Sequence, residues 1–224
     1  MTGVEREDGV ALLIAMVAVL LMTALGAALI LTSSSETIVA GHFRDNLEAR
    51  YAAGAMIERG IDEVGPVEDW NLLIDGLQRS SWIDGPPTSP RTLPDGSTLD
   101  LAQALNLANC QKSAACSQAE LALVTADRPW GANNPRWALY AYGPLRNLLP
   151  PPGVIQSACY VLLFIGNGPG TGLLALRAEA FGPRGAHATV EVTLSRGTSL
   201  GNGRDYNDDP GQGAVKILSW REVR

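Results

Sequence analysis

The sequence has little lysine and little histidine. Lysine occurs only at Lys112 and Lys216, and no stretch gathers several basic residues. The formal net charge is −6, from 17 basic and 23 acidic residues. A nucleic-acid-binding surface needs clustered basic side chains to meet the phosphates. We therefore expect no nucleic-acid partner.

Motifs of nucleophilic and phosphate chemistry are also missing. His42 and His187 are the only histidines, neither lies in a metal-ligand motif, and no G-x-S-x-G elbow occurs. The glycine-rich run GNGPGTG at residues 166–172 lacks the Lys-Ser/Thr pair of a P-loop and lies between two predicted strands. The run predicts a hairpin turn. Because these catalytic motifs are missing, we expect that the protein is not an enzyme.

Residues 10–31 form the longest apolar run, VALLIAMVAVLLMTALGAALIL, and Thr23 is its only polar side chain. A bilayer core of roughly 30 Å needs about 20 apolar residues in a helix. The run is too long for the apolar part of a secretory signal peptide, and the residues before it are acidic rather than basic. It predicts one membrane-spanning helix.

Residues 32–64 predict that this helix continues beyond the membrane as an amphipathic helix. Apolar or small residues recur at the spacing of one helix face. We expect Gly65 and Pro66 to end the helix. The predicted face consists of Ile38, Phe43, Leu47, Tyr51, Ala55, Ile57, Ile61 and Val64.

The rest of the chain is rich in turns, and the sequence holds 24 glycines and 14 prolines in all. Short helices are expected near residues 70–77 and from residue 99, and strands at residues 120–127, 138–145, 157–166, 173–182, 186–196 and 214–223. The strands near 157–196 are joined by glycine turns, which favours an antiparallel meander. The predicted fold is α+β, with a long N-terminal helix packed on an antiparallel β-sheet head.

Cysteine occurs three times. Cys110 and Cys116 lie close together in a polar loop, whereas Cys159 lies in an apolar run. A bridge between Cys110 and Cys116 is the first choice, and Cys159 would then be a buried thiol. Pairing of Cys159 with either partner, or no bridge at all, stays open at this point.

Two further groups have both a functional and a structural interpretation. Asp205, Asn207, Asp208 and Asp209 offer oxygen ligands that a calcium ion would accept, although a solvated turn is the simpler explanation. The tryptophans either line a binding surface or fill the core and cover sheet edges; they are Trp70, Trp82, Trp130, Trp137 and Trp220.

Three features follow one another in the N-terminal region: Gly9 directly before the apolar helix, then VAGHFRDN at residues 39–46, then YAAGA at residues 51–55. In these features the chain resembles type IV pilin-like proteins, and within them PilX-type minor pilins. The resemblance covers about the first 65 residues.

This resemblance implies cleavage by prepilin peptidase between Gly9 and Val10, with Val10 becoming an N-methylated mature N-terminus. It also implies four segments: a leader (1–9), a membrane and filament-core helix (10–31), its amphipathic continuation (32–64) and a periplasmic head (65–224). The protein would reside in the inner membrane and then in the pilus. It would bind major and minor pilins through the helix. A tip adhesin would be a further partner.

Ile14 occupies the position at which shaft pilins carry a glutamate. Minor pilins of the PilX type, and K-type pseudopilins of type II secretion, also lack this carboxylate, which implies an initiating or tip position. Two alternatives therefore accompany the minor-pilin interpretation. One is a pseudopilin of a type II secretion tip complex, and the other is a permanently membrane-anchored periplasmic binding domain.

Overall fold

The computed structural model describes residues 7–93, 95–123, 136–148, 156–168, 170–196 and 215–223. Contacts between residues divide the chain into two compact units, Met1–Arg44 and Asp45–Arg224. The elements are α1 (Glu7–Val64), α2 (Asn71–Ile74), β1 (Arg91–Thr92), β2 (Thr98–Leu99), α3 (Leu101–Cys110), α4 (Gln118–Leu123), β3 (Ala138–Pro144), β4 (Tyr160–Asn167), β5 (Leu173–Phe181), β6 (His187–Arg196) and β7 (Val215–Val223).

The second unit is built on a five-stranded antiparallel sheet in the order β3-β4-β5-β6-β7. Each strand pairs with the next one along the chain, so the sheet is a meander. The strands β1 and β2 form a separate small hairpin. The predicted α+β fold is confirmed, and so is the hairpin turn between β4 and β5.

β4 is buried on both faces because apolar side chains occupy every position of its centre. Val161, Leu163 and Ile165 belong to the cluster that contains the C-terminal part of α1. Leu162 and Phe164, which point to the opposite face, belong to a second cluster with α3 and the β1–β2 hairpin. The sheet of the second unit is therefore covered by helix on one face and by helix and hairpin on the other.

The predicted contact face of α1 is wrong over its first half. Phe43 and Tyr51 are 70% and 71% exposed, which is similar to the exposure of the large apolar side chains in residues 10–31. Ile38 and Leu47 are also exposed. The buried face instead consists of Ala49, Ala52, Ala53, Met56, Ile57, Gly60 and Val64. Small side chains let the helix backbone approach the sheet, whereas the large ones of the first half of the predicted face, Ile38, Phe43, Leu47 and Tyr51, lie outside.

Asp45 is buried, although the charge pattern predicts it on the solvent side of α1. Arg184, in the turn between β5 and β6, forms an ion pair with its carboxylate. This contact compensates the buried charge at the start of the second unit.

α1 ends where the sequence predicts. The amide of Gly65 donates to the carbonyl of Ile61 at 2.9 Å, and the indole of Trp70 donates to the carbonyl of Val64 at 3.0 Å. Two carbonyls of the last turn thus obtain partners from the residues that follow.

The predicted strand at residues 120–127 is wrong in its described part, which is the helix α4. Ser117 and Glu120 form a capping box: the Glu120 amide donates to the Ser117 hydroxyl at 3.2 Å, and the Ser117 amide donates to the Glu120 carboxylate at 2.9 Å. This S-x-x-E spacing was the sequence signal for a helix start. Residues 124–127 lie outside the described residues.

Candidate functional site

The outstanding surface feature of the first unit is the apolar segment of α1. Its large apolar side chains are all exposed, from 48% at Val17 to 73% at Met22. None of its most apolar stretch is buried, and by length and composition it is able to cross a membrane. A core helix would have one covered face, whereas the described residues cover no face of this segment and leave its apolar surface open.

Hydroxyl groups in and just after the apolar segment donate to carbonyls of the same helix. The hydroxyl of Thr23 donates to the carbonyl of Leu20 at 2.9 Å. Further along, Thr32 and Ser34 donate to carbonyls one turn back, at 3.0 and 2.9 Å. Because these hydroxyls need no water, the helix stays compatible with a lipid or protein environment on all sides.

Gly9, Val10 and Ile14 lie on this exposed helix. A Cβ atom at Gly9 would meet nothing within 4 Å, so packing within the described residues does not require a glycine there. Val10 and Ile14 are 58% and 62% exposed. The structure therefore leaves the side chains at positions 10 and 14 open to contact with other molecules.

The cysteines adopt the first of the predicted arrangements. Cys110, the last residue of α3, is bridged to Cys116, and Cys159 is a buried free thiol. Burial raises the pKa of the Cys159 thiol. Cys159 lies at the start of β4, in the core cluster that contains part of α1. Its amide donates a hydrogen bond to the hydroxyl of Ser157.

The calcium prediction concerns Asp205, Asn207, Asp208 and Asp209, which lie outside the described residues. Within the described ranges, no group of three or more His, Cys, Asp or Glu side chains is arranged to hold a metal. The calcium site stays a prediction.

A charged network lies on the β5–β6–β7 part of the sheet, and sequence reasoning missed it. Arg177 contacts Glu179 at 2.6 Å and Glu191 at 2.9 Å, and Arg221 of β7 pairs with Glu191. His187 lies 3.4 Å from Glu179. The signal that could have revealed this network is the charged residues at alternate positions within two predicted strands. Neighbouring strands place such residues on one face of the sheet.

The electrostatics of this network keep Glu179 ionised. Burial alone would raise the pKa of its carboxyl group, but the hydrogen bond with His187 and the charge of Arg177 outweigh burial and hold the pKa below the usual 4.5. Elsewhere in the core, burial and then the charge of Glu63 raise the pKa of Tyr140 to about 12. These groups stabilise the head.

The tryptophans mostly follow the structural interpretation. Trp70 and Trp137 are buried, and Trp82 is half-buried with its indole donating to the carbonyl of Asn147 at 2.9 Å. Trp220, on the edge strand β7, is 44% exposed. Trp130 lies outside the described residues.

Comparison with protein-family models, with curated proteins and with solved structures gives no significant match.

Proposed function

We propose that this protein is a minor pilin that takes part in type IV pilus assembly, in an initiating or tip complex. The observation that carries the proposal is α1 itself. One helix has an N-terminal segment that is apolar and exposed all round, and a C-terminal segment that forms part of the core of a β-sheet head. Such a helix suits a subunit that is first held by a membrane and later by the helices of other subunits.

The exposed apolar side chains of residues 10–31 explain how the subunit would move from the membrane into a filament. Leaving the bilayer removes lipid contacts from residues 10–31, and packing against other apolar helices in a filament offsets that loss. The internal hydrogen bonds of Thr23 and Thr32 need no rearrangement during this exchange. In the second unit, Leu47 and Tyr51 leave an apolar strip of α1 exposed beside the head, and we assign it to neighbouring subunits.

The proposed location is the inner membrane with the head in the periplasm, followed by the pilus. The Cys110–Cys116 bridge supports a head that faces an oxidising compartment. The glycine at position 9, which packing does not require, supports processing by prepilin peptidase.

Ile14 supports the position in the assembly. In a shaft subunit a carboxylate at this depth would need a cationic partner on its neighbour. An isoleucine makes no such demand, so the subunit is suited to enter first, before any partner exists.

Counting filaments by electron microscopy tests the proposal in the source organism. Deleting the gene should strongly reduce filament number, and the parent gene should restore it. A variant Gly9→Leu should fail to restore filaments, whereas Glu58→Leu, at an exposed position of the same helix outside residues 10–31, should succeed.

The two alternatives give different results in the same strains. Unchanged filaments with impaired protein secretion would favour a type II secretion pseudopilin. Unchanged filaments and unchanged secretion, together with full function of Gly9→Leu, would favour a permanently anchored periplasmic binding domain.

A further inference from the structure

The head contains a groove that no step of the proposed assembly uses. It lies beside the start of β3, between the segment after α2 and the start of α3, and its volume is about 660 Å³. This volume is within the range of sites that bind small molecules. Buried or half-buried apolar side chains form much of the wall; they are Ile74, Leu101, Leu105, Trp137 and Leu139.

Two exposed arginines, Arg79 and Arg136, also line the groove. Neither forms an ion pair with any residue that the structure describes, although the chain is acidic overall. Other arginines of the head are paired, for example Arg59 with Glu63 at 2.6 Å. Asp75 is the one acidic residue in the lining, so the lining carries a net positive charge. Arginine forks match carboxylates in shape and charge, which favours an anionic ligand.

The backbone beside the groove is already bonded within the head. The side-chain amide of Asn109 holds both backbone groups of Trp137: it donates to the carbonyl at 3.1 Å and accepts from the N–H at 2.8 Å. The amides of Ser80 and Asp84 donate to two further carbonyls of β3, at 3.3 and 2.9 Å. Because these positions are occupied, a ligand meets side chains and not an open strand edge. This favours a compact molecule over an extended peptide.

We propose that this groove binds a small amphipathic organic anion, with one carboxylate and an apolar ring or chain. The carboxylate pairs with the arginines of the groove, and the apolar part lies against Leu101, Trp137 and Leu139. An inorganic anion would use the arginines but leave the apolar wall in water. A neutral apolar molecule would cover the wall but leave the arginines without an acidic partner.

This inference concerns the head alone and does not depend on the role in pilus assembly. Ligand binding can be measured on the purified protein, whereas the assembly role is measured by filament number. Either can therefore fail while the other holds.

The test is isothermal titration calorimetry with the full chain in detergent micelles. The probes are 2-naphthoate, which has a flat apolar part, and octanoate, which has a linear one. Their matched controls are the neutral amides 2-naphthamide and octanamide. We expect saturable binding of at least one acid, and binding of its amide that is weaker by about tenfold or more. Titration into empty micelles provides the background.

Protein variants locate the binding. The double variant Arg79→Gln/Arg136→Gln should bind the acid more weakly by about tenfold or more. Arg146→Gln removes an exposed arginine outside the groove and should bind like the parent. Ala102→Phe adds a ring at an exposed position of the lining and should also weaken binding. Equal melting temperatures of all variants ensure that binding, and not folding, is compared.

Four outcomes would overturn the proposal. Two concern the acids themselves: no saturable binding of either one, or binding of the amides that is as tight as that of the acids. The third is equal binding by the parent and the double arginine variant. The fourth is displacement of the bound acid by inorganic phosphate with equal affinity, which would show that the apolar wall takes no part in recognition.

Discussion

At residue 60, glycine lets α1 lie directly against the sheet. A Cβ atom there would be 2.6 Å from Cδ2 of Leu163 and 3.5 Å from Cδ1 of Leu176, both fully buried. At Gly54, in the same helix, a Cβ atom would meet nothing within 4 Å. The two glycines therefore differ in packing but share their intrinsic helix propensity.

Gly60→Val should lower the free energy of unfolding of the head by about 2 kcal/mol, because added methyl groups overpack a filled core. Gly54→Val is the matched control and should leave stability unchanged or slightly raised. Urea unfolding followed by tryptophan fluorescence measures both, since every tryptophan lies after residue 64. Equal stability of the two variants would contradict the close approach at Gly60.

Glu179 should make the head sensitive to acid. Its pKa in the folded chain is lower than its ordinary value of 4.5. The folded state therefore gains stability from the ionised carboxylate above about pH 4.5, and loses it as the pH falls through the lower folded-state pKa. The stability difference between the parent and Glu179→Gln should be largest near neutral pH and shrink in acid.

Urea unfolding between pH 3 and 7 measures this difference. Glu58→Gln, at an exposed position of α1, controls for the removal of a carboxylate. A difference between the parent and Glu179→Gln that stays constant over the whole pH range would show that Arg177 and His187 do not favour the charged form.

At the scale of elements, the disulfide anchors the loop that follows α3. Asp100 caps the start of α3: its carboxylate accepts from the amides of Ala102 and Gln103 at 2.8 and 3.1 Å. It ends at Cys110, and Gln111 has a left-handed backbone with φ of 58°. The bridge to Cys116 closes a short ring at this end.

Reduction of the bridge should lower the free energy of unfolding by about 2 kcal/mol, the loss expected for a ring of this size. Unfolding with and without dithiothreitol measures the loss. The double variant Cys110→Ser/Cys116→Ser should be less stable than the parent and should not respond to dithiothreitol. A dithiothreitol effect of the same size in the variant would contradict this assignment.

The elements differ in how far the sequence predicts them. The end of α1 at Val64 and the strands β3 to β7 are readable, because glycine turns and apolar runs determine them locally. The contact face of α1 is not readable in this way. Ala49, Ala52 and Ala53 are small enough for the helix to lie close to the sheet, and the strands of that sheet are distant in the sequence. The β1–β2 hairpin is missed for a similar reason: its strands are only two residues each and depend on contacts with the larger sheet.

The candidate sites show the same limit. Gly9, Val10 and Ile14 follow from a linear pattern, and the pairing of Cys110 with Cys116 follows from proximity in the chain. The charged network of the sheet does not, because Arg177, Glu191 and Arg221 come together only when β5, β6 and β7 pair. A site that is assembled by tertiary contacts has no local residue spacing from which it could be predicted.

At the scale of the whole molecule, the proposed function joins a lipid-compatible helix to a folded head and requires that the chain be processed between Gly9 and Val10. A permanent anchor would keep this bond intact. A pilin-like subunit would lose the preceding residues and gain a new amino group at the apolar end of the helix.

Mass spectrometry of the mature protein, purified from membranes and sheared filaments of the source organism, tests this requirement most directly. Our account predicts that the N-terminal peptide begins at Val10 and carries a methyl group on its amine. Peptides in which the Gly9–Val10 bond is uncut, as the only species found, would contradict it.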